Sequence, residues 1–345
     1  MNGHSRVAVG MTLAVAMWMA LLPASAWAWG GVQHIHINRE ASKAVPMEMK
    51  GWRNFARSMA FPGIYPDLWK GYDAQENARH YFEPDRLPRG FDLQTLTRDE
   101  PAELARHGLT REELGEAPWM IADLTEKMSE AMRTNDWLMA ARYGATMGHY
   151  VGDLHMPLHC TVNFNGQETR QHGVHTRIES EMTKAFFRID QLRVPRGHYV
   201  EDPFHEVLSW VAHSYSLVPM WLRADLSAKS FAGGRTDTED YYLRLWEILG
   251  DSVMEQIGSA ASHLASLWYT AWVNAGKPPI PEKAFEELPA YSIFSGVGID
   301  APETDGQPLS NPKKEKYDLI IWSVMGAIAL LVIVSSVLRS RHSRK

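Results

Sequence analysis

The stretch from Gly148 to His159, GHYVGDLHMPLH, limits the fold more than any other part of the chain. Helical periodicity enters it from Asp136 and runs on to Leu154. His149 and Asp153 are four residues apart, so a helix projects both from one face, as two ligands of a single metal ion require. His159 cannot share that ion on a straight helix, because it would lie about 15 Å further along the axis. Pro157 changes this, since a proline inside a helix deletes a hydrogen bond and bends or ends the helix there. The segment therefore predicts a helix that presents two ligands and then turns His159 back toward a neighbouring ion.

A second pair, His175 and Glu179 in GVHTRIESEM, repeats the four-residue spacing with another carboxylate. One such pair is more often a surface hydrogen bond than a metal site; two pairs in one helical body point to metal. Asp67 in IYPDLW and His80 in ARHYFEPD each keep a plainer alternative, a turn residue after Pro66 and a hydrogen-bonded core histidine. Trp29-Gly-Gly-Val-Gln-His34 follows a candidate cleavage point behind Ala28. A free α-amino group and its own carbonyl chelate a metal through a five-membered ring, and His34 supplies a further nitrogen. His36, His155 and His172 read as ordinary or outer polar residues. The chain carries fifteen histidines and thirteen tryptophans but one cysteine, Cys160. A lone cysteine forms neither an internal disulfide nor a thiolate cage, which leaves imidazole and carboxylate ligands; Cys160 itself reads as a small buried hydrophobe.

The two ends read as targeting segments. Residues 1–28 combine Arg6, the apolar run 7–22 and small residues at Ala24-Ser25-Ala26 and Ala26-Trp27-Ala28, the pattern of an export signal peptide. The alternative is an uncleaved anchor, for which the run is shorter than the ~20 residues of a comfortable span. Residues 319–338 carry no charge and are followed by Arg339, Arg341, Arg344 and Lys345. This predicts a transmembrane anchor over 317–338 and a short basic cytoplasmic tail over 339–345, with the body on the periplasmic or extracellular side of the cytoplasmic membrane. Helical periodicity recurs at 118–133, 136–154, 204–222 and 238–272 with little strand-like alternation, which predicts an all-α domain over 29–276. Residues 277–316, rich in proline, glycine and charge, read as a linker. With 45% hydrophobic and 22% charged residues the body can bury a large core, and a net charge of −6 gives no global basic surface for a polynucleotide.

In this order the elements resemble the zinc-dependent phospholipase C family of secreted bacterial enzymes and its relatives, the single-strand-specific zinc nucleases. The match runs through WGGVQH, Asp67, RHYFEPD, HxxxDxxxxxH at 149–159 and HxxxE at 175–179. The resemblance implies an all-α bundle with about three zinc ions at the bottom of a cleft. It implies Asp67, His80, His149 and Asp153 on one ion, and His159, His175 and Glu179 on a second. Trp29 through its amino and carbonyl groups, His34 and a bridging Asp153 would hold the third. Asp67 is then the candidate for orienting or deprotonating the attacking water, or acts as a ligand alone.

Glutamate at 179, where the nucleases usually carry aspartate, and the RHYFEPD segment tilt the resemblance toward the phospholipases. The implied reaction converts membrane phospholipid to diacylglycerol and a phosphorylated head group, and the anchor in the bilayer would raise the local concentration of that substrate. Val32 stands near the place of an acidic residue that helps to hold choline, and Leu68 follows Asp67 where those enzymes carry an aromatic residue. The resemblance therefore leaves the head-group preference open. Two alternatives stand beside this reading: an exported nuclease or nucleotidase acting on nucleic acid with the same ligands, and a non-catalytic, metal-stabilised, membrane-anchored binding protein.

Overall fold

The computed structural model describes residues 30–99 and 101–301. The expected signal peptide over 1–28, Trp29, the expected anchor over 317–338 and its basic tail lie outside the described residues. Among the described residues no helix is long and apolar enough to cross a membrane, and there is no strand.

Five long helices make the body: α1, Val32–Ala44; α2, Ala117–Arg133; α3, Trp137–Leu154; α4, Pro203–Phe231; and α5, Glu239–Asn274. Local chemistry sets several of their ends. The Asp136 carboxylate accepts from the Met139 amide at 3.0 Å and caps α3, while Asp202 caps α4 just ahead of Pro203. Thr238 caps α5, with Glu239 and Asp240 in its first turn, where the helix dipole favours negative charge. α3 stops at Leu154, and Met156, the residue before Pro157, is extended, as steric clash with the proline ring requires. α4 runs on past the 222 at which its apolar pattern fades. Asp225, in that extra stretch, is fully buried and accepts from Gln171 Nε2 at 2.7 Å and Arg177 Nη2 at 2.7 Å.

α5, 36 residues and about 54 Å long, lies against each of the other four long helices. From 260 to 272 every residue except His263 is buried, and the alanines there (Ala260, Ala261, Ala265, Ala271) let the neighbouring backbones come close. Trp52, Trp119, Trp221 and Trp268 fill the spaces between helices.

Between α1 and α2 the chain folds as short turns, including Phe61–Ile64, Tyr65–Trp69 and Glu76–His80, which bring Asp67 and His80 to the side of α3. Between α3 and α4 come the turn Pro157–Cys160 and a π-helical stretch, Arg177–Met182. The start of the segment expected to be a linker forms no helix but packs along the body. Trp69 Nε1 donates to Ala290 O at 2.7 Å, Arg142 Nη2 donates to Tyr291 O at 2.8 Å, and Leu288 and Ala290 are buried.

Candidate metal centre

The centre begins with how α1 reaches α3. Gly148 and Gly152 precede His149 and Asp153, and both lack the side chain that would keep α1 away. A Cβ on Gly148 would lie 1.7 Å from Asn38 Oδ1, and one on Gly152 would lie 2.9 Å from His34 Nδ1. Asn38 is fully buried and clamps the contact, donating from Nδ2 to Met59 O at 2.9 Å and Ala145 O at 3.1 Å. The close approach stacks the His34 ring on that of His149, centroids 3.9 Å apart, and sets His34 Nε2 3.4 Å from Asp153 Oδ1.

The other carboxylate oxygen of Asp153 belongs to a second group. His80 Nδ1 lies 2.9 Å from Asp153 Oδ2, 3.0 Å from His149 Nε2 and 3.8 Å from Asp67 Oδ1. His149 Nε2 in turn lies 3.3 Å from Asp153 Oδ2 and 3.7 Å from Asp67 Oδ1. The separations that join His80 and His149 to each other and to the two carboxylates thus run from 2.9 to 3.8 Å; a tetrahedron of zinc ligands with bonds near 2.1 Å has edges of about 3.4 Å. A third group is built by the turn after α3 and the π-helical stretch. His159 Nε2 lies 3.4 Å and His175 Nε2 2.8 Å from the Glu179 carboxylate. Three such groups, His34–His149–Asp153, Asp67–His80–His149 and His159–His175–Glu179, each hold their ligand atoms within 4.8 Å of one another. The structure therefore gathers every residue singled out in the sequence except Trp29, which lies outside the described residues.

The electrostatics fit cations. Burial alone would raise the Asp153 carboxyl, yet His149 and His159 hold it well below the usual carboxylate range. Glu179 is likewise lowered against its burial by His175 and His159. Burial drives His149 well below the ordinary imidazole value, with His34 adding to the effect. At His159 burial is overcome by Asp153 and Glu179, which raise it to about 9. Both nitrogens of His34, Asp67 Oδ2, Asp153 Oδ1 and His159 Nε2 are buried without a hydrogen-bond partner. Such groups are rare in a folded interior unless something binds them, and imidazole lone pairs beside carboxylates suit a divalent cation.

The residues set aside in the sequence stay outside the groups. His36 pairs with Arg39 at 2.7 Å, His172 is exposed, and His155 bonds to His263 at 2.8 Å. Cys160 is buried, and burial raises its thiol far above the usual range. Sequence reasoning missed Glu76, which lies behind His80, and Lys70, which donates from Nζ to Asp67 Oδ1 at 2.8 Å. Glu76 stands four residues before His80, the carboxylate–histidine spacing in reverse order. Lys70 stands one helical turn beyond Asp67. Burial alone would lower the Lys70 amine, but Asp67 and Asp153 hold it above its ordinary value, so it is a cation at neutral pH.

The metal-facing side opens into a cleft of about 400 Å3 whose walls include Lys70, His80, Arg86, His159, Phe164 and His175. A larger groove of about 720 Å3, beside Arg98, Arg133 and Asp202, contains none of the clustered histidines.

No family model and no curated protein matches the chain. Among solved structures, the alpha toxin from Clostridium absonum is similar at 12% identity with a TM-score of 0.42. The alignment covers 72% of this chain and 65% of the toxin, a resemblance too distant to carry a function.

Proposed function

We propose that this protein is a metal-dependent phosphodiester hydrolase that takes about three divalent cations, zinc being the fit for imidazole and carboxylate donors. The observation that carries the proposal is Asp153, whose two oxygens face two adjoining ligand groups, one of which reaches the wall of an open cleft through His80. A purely structural metal site is a closed cage of four ligands, whereas His159, His175 and Glu179 form a three-ligand group of the kind that leaves a position open. His34, Asp67, His80, His149, Asp153, His159, His175 and Glu179 are the proposed ligands, with the mature N-terminal Trp29 as a further one.

Bound cations at these groups neutralise a phosphodiester and make water more acidic. Lys70 and Arg86 line the same cleft and draw the anionic phosphate toward it. Asp67 offers one oxygen to Lys70 and keeps the other, Oδ2, without a hydrogen bond. To that oxygen the proposal assigns the orienting of a water molecule and the uptake of its proton. Water oxygen then bonds to phosphorus, the bond from phosphorus to the leaving oxygen breaks, and the leaving oxygen takes up a proton.

Phospholipid is the proposed substrate. The uncharged run at 319–338 supports it, because an anchored, outward-facing domain works within reach of head groups. The products are diacylglycerol and a phosphorylated head group. Phe164, 47% exposed in the cleft that Arg86 also lines, favours a second reading, since an aromatic face in a cationic cleft also stacks nucleic-acid bases. Metal analysis and N-terminal sequencing of the mature full chain, followed by parallel assays on phospholipid vesicles and single-stranded RNA, test the proposal. Diacylglycerol release with bound zinc is expected; cleavage of RNA alone would replace the lipid reading, and zinc-loaded protein that cleaves neither would overturn the enzyme.

A further inference from the structure

His80 is held differently from His149, His159 and His175. His149 donates from Nδ1 to Gly63 O at 2.7 Å, His159 from Nδ1 to His80 O at 2.7 Å and His175 from Nδ1 to Phe164 O at 3.2 Å. A backbone carbonyl accepts only from a protonated nitrogen, so each of these rings carries a proton on Nδ1 and presents Nε2, the nitrogen left for a metal, to the centre. In His80 the ring is reversed. Nδ1 faces His149, Asp153 and Asp67, and Nε2, buried and without a hydrogen-bond partner, lies 3.3 Å from Oε1 of Glu76.

Glu76 is fully buried and tightly held. It accepts from Tyr150 Oη at 2.5 Å and from Arg79 Nη1 at 2.7 Å. Arg79 is also bound to Asp73 at 3.1 Å and lies 4.2 Å over the Phe294 ring. A buried carboxylate with this much support is rigid and negatively charged, and its remaining capacity points at the one ring nitrogen of His80 that needs an acceptor.

We propose that Glu76 is a positioning residue of the metal centre: it accepts the Nε2–H of His80 and so fixes this histidine, unlike His149, His159 and His175, in the tautomer that binds metal through Nδ1. The inference rests on the reading of His80 as a metal ligand. An anionic acceptor behind the ring also makes its other nitrogen a stronger donor, an effect that a neutral backbone carbonyl gives less of. Tyr150, on α3, ties this support to the helix that carries His149 and Asp153, so ring and partner ligands keep one frame.

The test uses the full chain with isotopically labelled histidine, prepared metal-free and then loaded with NMR-active cadmium. In the wild type, cadmium should couple to Nδ1 of His80 but to Nε2 of His149 and His159. Glu76→Gln keeps shape and leaves Arg79 its Asp73 partner. It is expected to weaken cadmium and zinc at this group by about 10- to 100-fold in chelator competition, and to mix the His80 tautomers. Tyr150→Phe, which removes one donor and leaves the carboxylate, should cost only a few-fold. A role in folding alone would lower the melting temperature and leave the coupling pattern intact. Coupling through Nε2 of His80 in the wild type, or unchanged affinity in Glu76→Gln, would overturn the proposal while leaving the metal-dependent enzyme standing. Wild-type protein that takes up neither cation would instead sink the enzyme reading, and the His80 tautomer in the metal-free spectrum would still decide the bond to Glu76.

Discussion

Two clusters of histidine lie on either side of the same helix end, and they differ in what faces the rings. In the metal centre His34, His80, His149, His159 and His175 are set among Asp67, Asp153 and Glu179. Just beyond α3, His155 donates from Nδ1 to Val151 O at 2.7 Å and shares a 2.8 Å hydrogen bond with His263, whose ring stacks on Trp210 at 4.3 Å. No carboxylate is paired with either ring of that second cluster. Burial lowers His155 to about 4, and burial together with His155, His198 and His213 lowers His263 to about 2, so the pair is neutral and self-satisfied. In the centre, by contrast, buried negative charge raises His159 to about 9 and buried lone pairs stay without donors. Density of histidine therefore does not make a metal site. Acidic partners and unsatisfied lone pairs do.

The largest effect should come from erasing that difference. Asp153→Asn keeps the shape of the side chain but removes the one carboxylate that faces two ligand groups. Metal analysis should show loss of more than one ion per chain. Phosphodiester cleavage should fall by on the order of 10^3-fold, the scale of losing a major electrostatic element of a site. Full metal content and activity in this variant would mean that the acidic partner is not what separates the two clusters.

A smaller effect probes how the centre is held. Gly148→Ala would force a Cβ to within 1.7 Å of Asn38 Oδ1, on the seam that brings His34 to Asp153. Overpacking of this kind costs about 1–3 kcal/mol, read as a lower denaturation midpoint, and the shift of α1 should weaken metal binding as well. The same change at Gly233, where a Cβ meets nothing within 4 Å but φ is +66°, should lower stability through backbone strain and leave metal affinity untouched.

Parts of this arrangement were legible in the chain and parts were not, for reasons of range. The two ends of α3 can be read from Asp136 and Pro157, because caps and prolines act within a turn of where they stand. His149 with Asp153, and His175 with Glu179, announce themselves by helical spacing. Asp67 and His80 do not, since they sit in short turns without a face, and only the resemblance singled them out. The bond between Tyr150 and Glu76 joins residues 74 positions apart and leaves no local trace. The glycines at 148 and 152 were visible, but their purpose depends on a helix more than a hundred residues upstream. The segment 277–316 reads as a linker because proline, glycine and charge dominate it. Its carbonyls nevertheless accept from Trp69, Arg142 and Tyr65 on the body, and backbone acceptors have no signature in composition.

The smallest expected effect tests the self-satisfied cluster. A histidine near 6.5 in the unfolded chain and far lower in the folded one leaves the unfolded state with more protons between those values. Stability from His263 is then present above about pH 6.5 and is lost as pH falls, by about 2 kcal/mol at pH 5. The groups facing it, His155, His198 and His213, offer no negative charge that would hold a proton on it. In His263→Gln the amide still donates to His155, so the bond survives while the titration disappears. Urea midpoints of the metal-loaded protein should fall less steeply between pH 6.5 and 5 than in the wild type, with metal content and activity at neutral pH unchanged. An unaltered acid slope would show that His263 is already protonated in the fold, and an accompanying loss of metal would show that the two clusters are one.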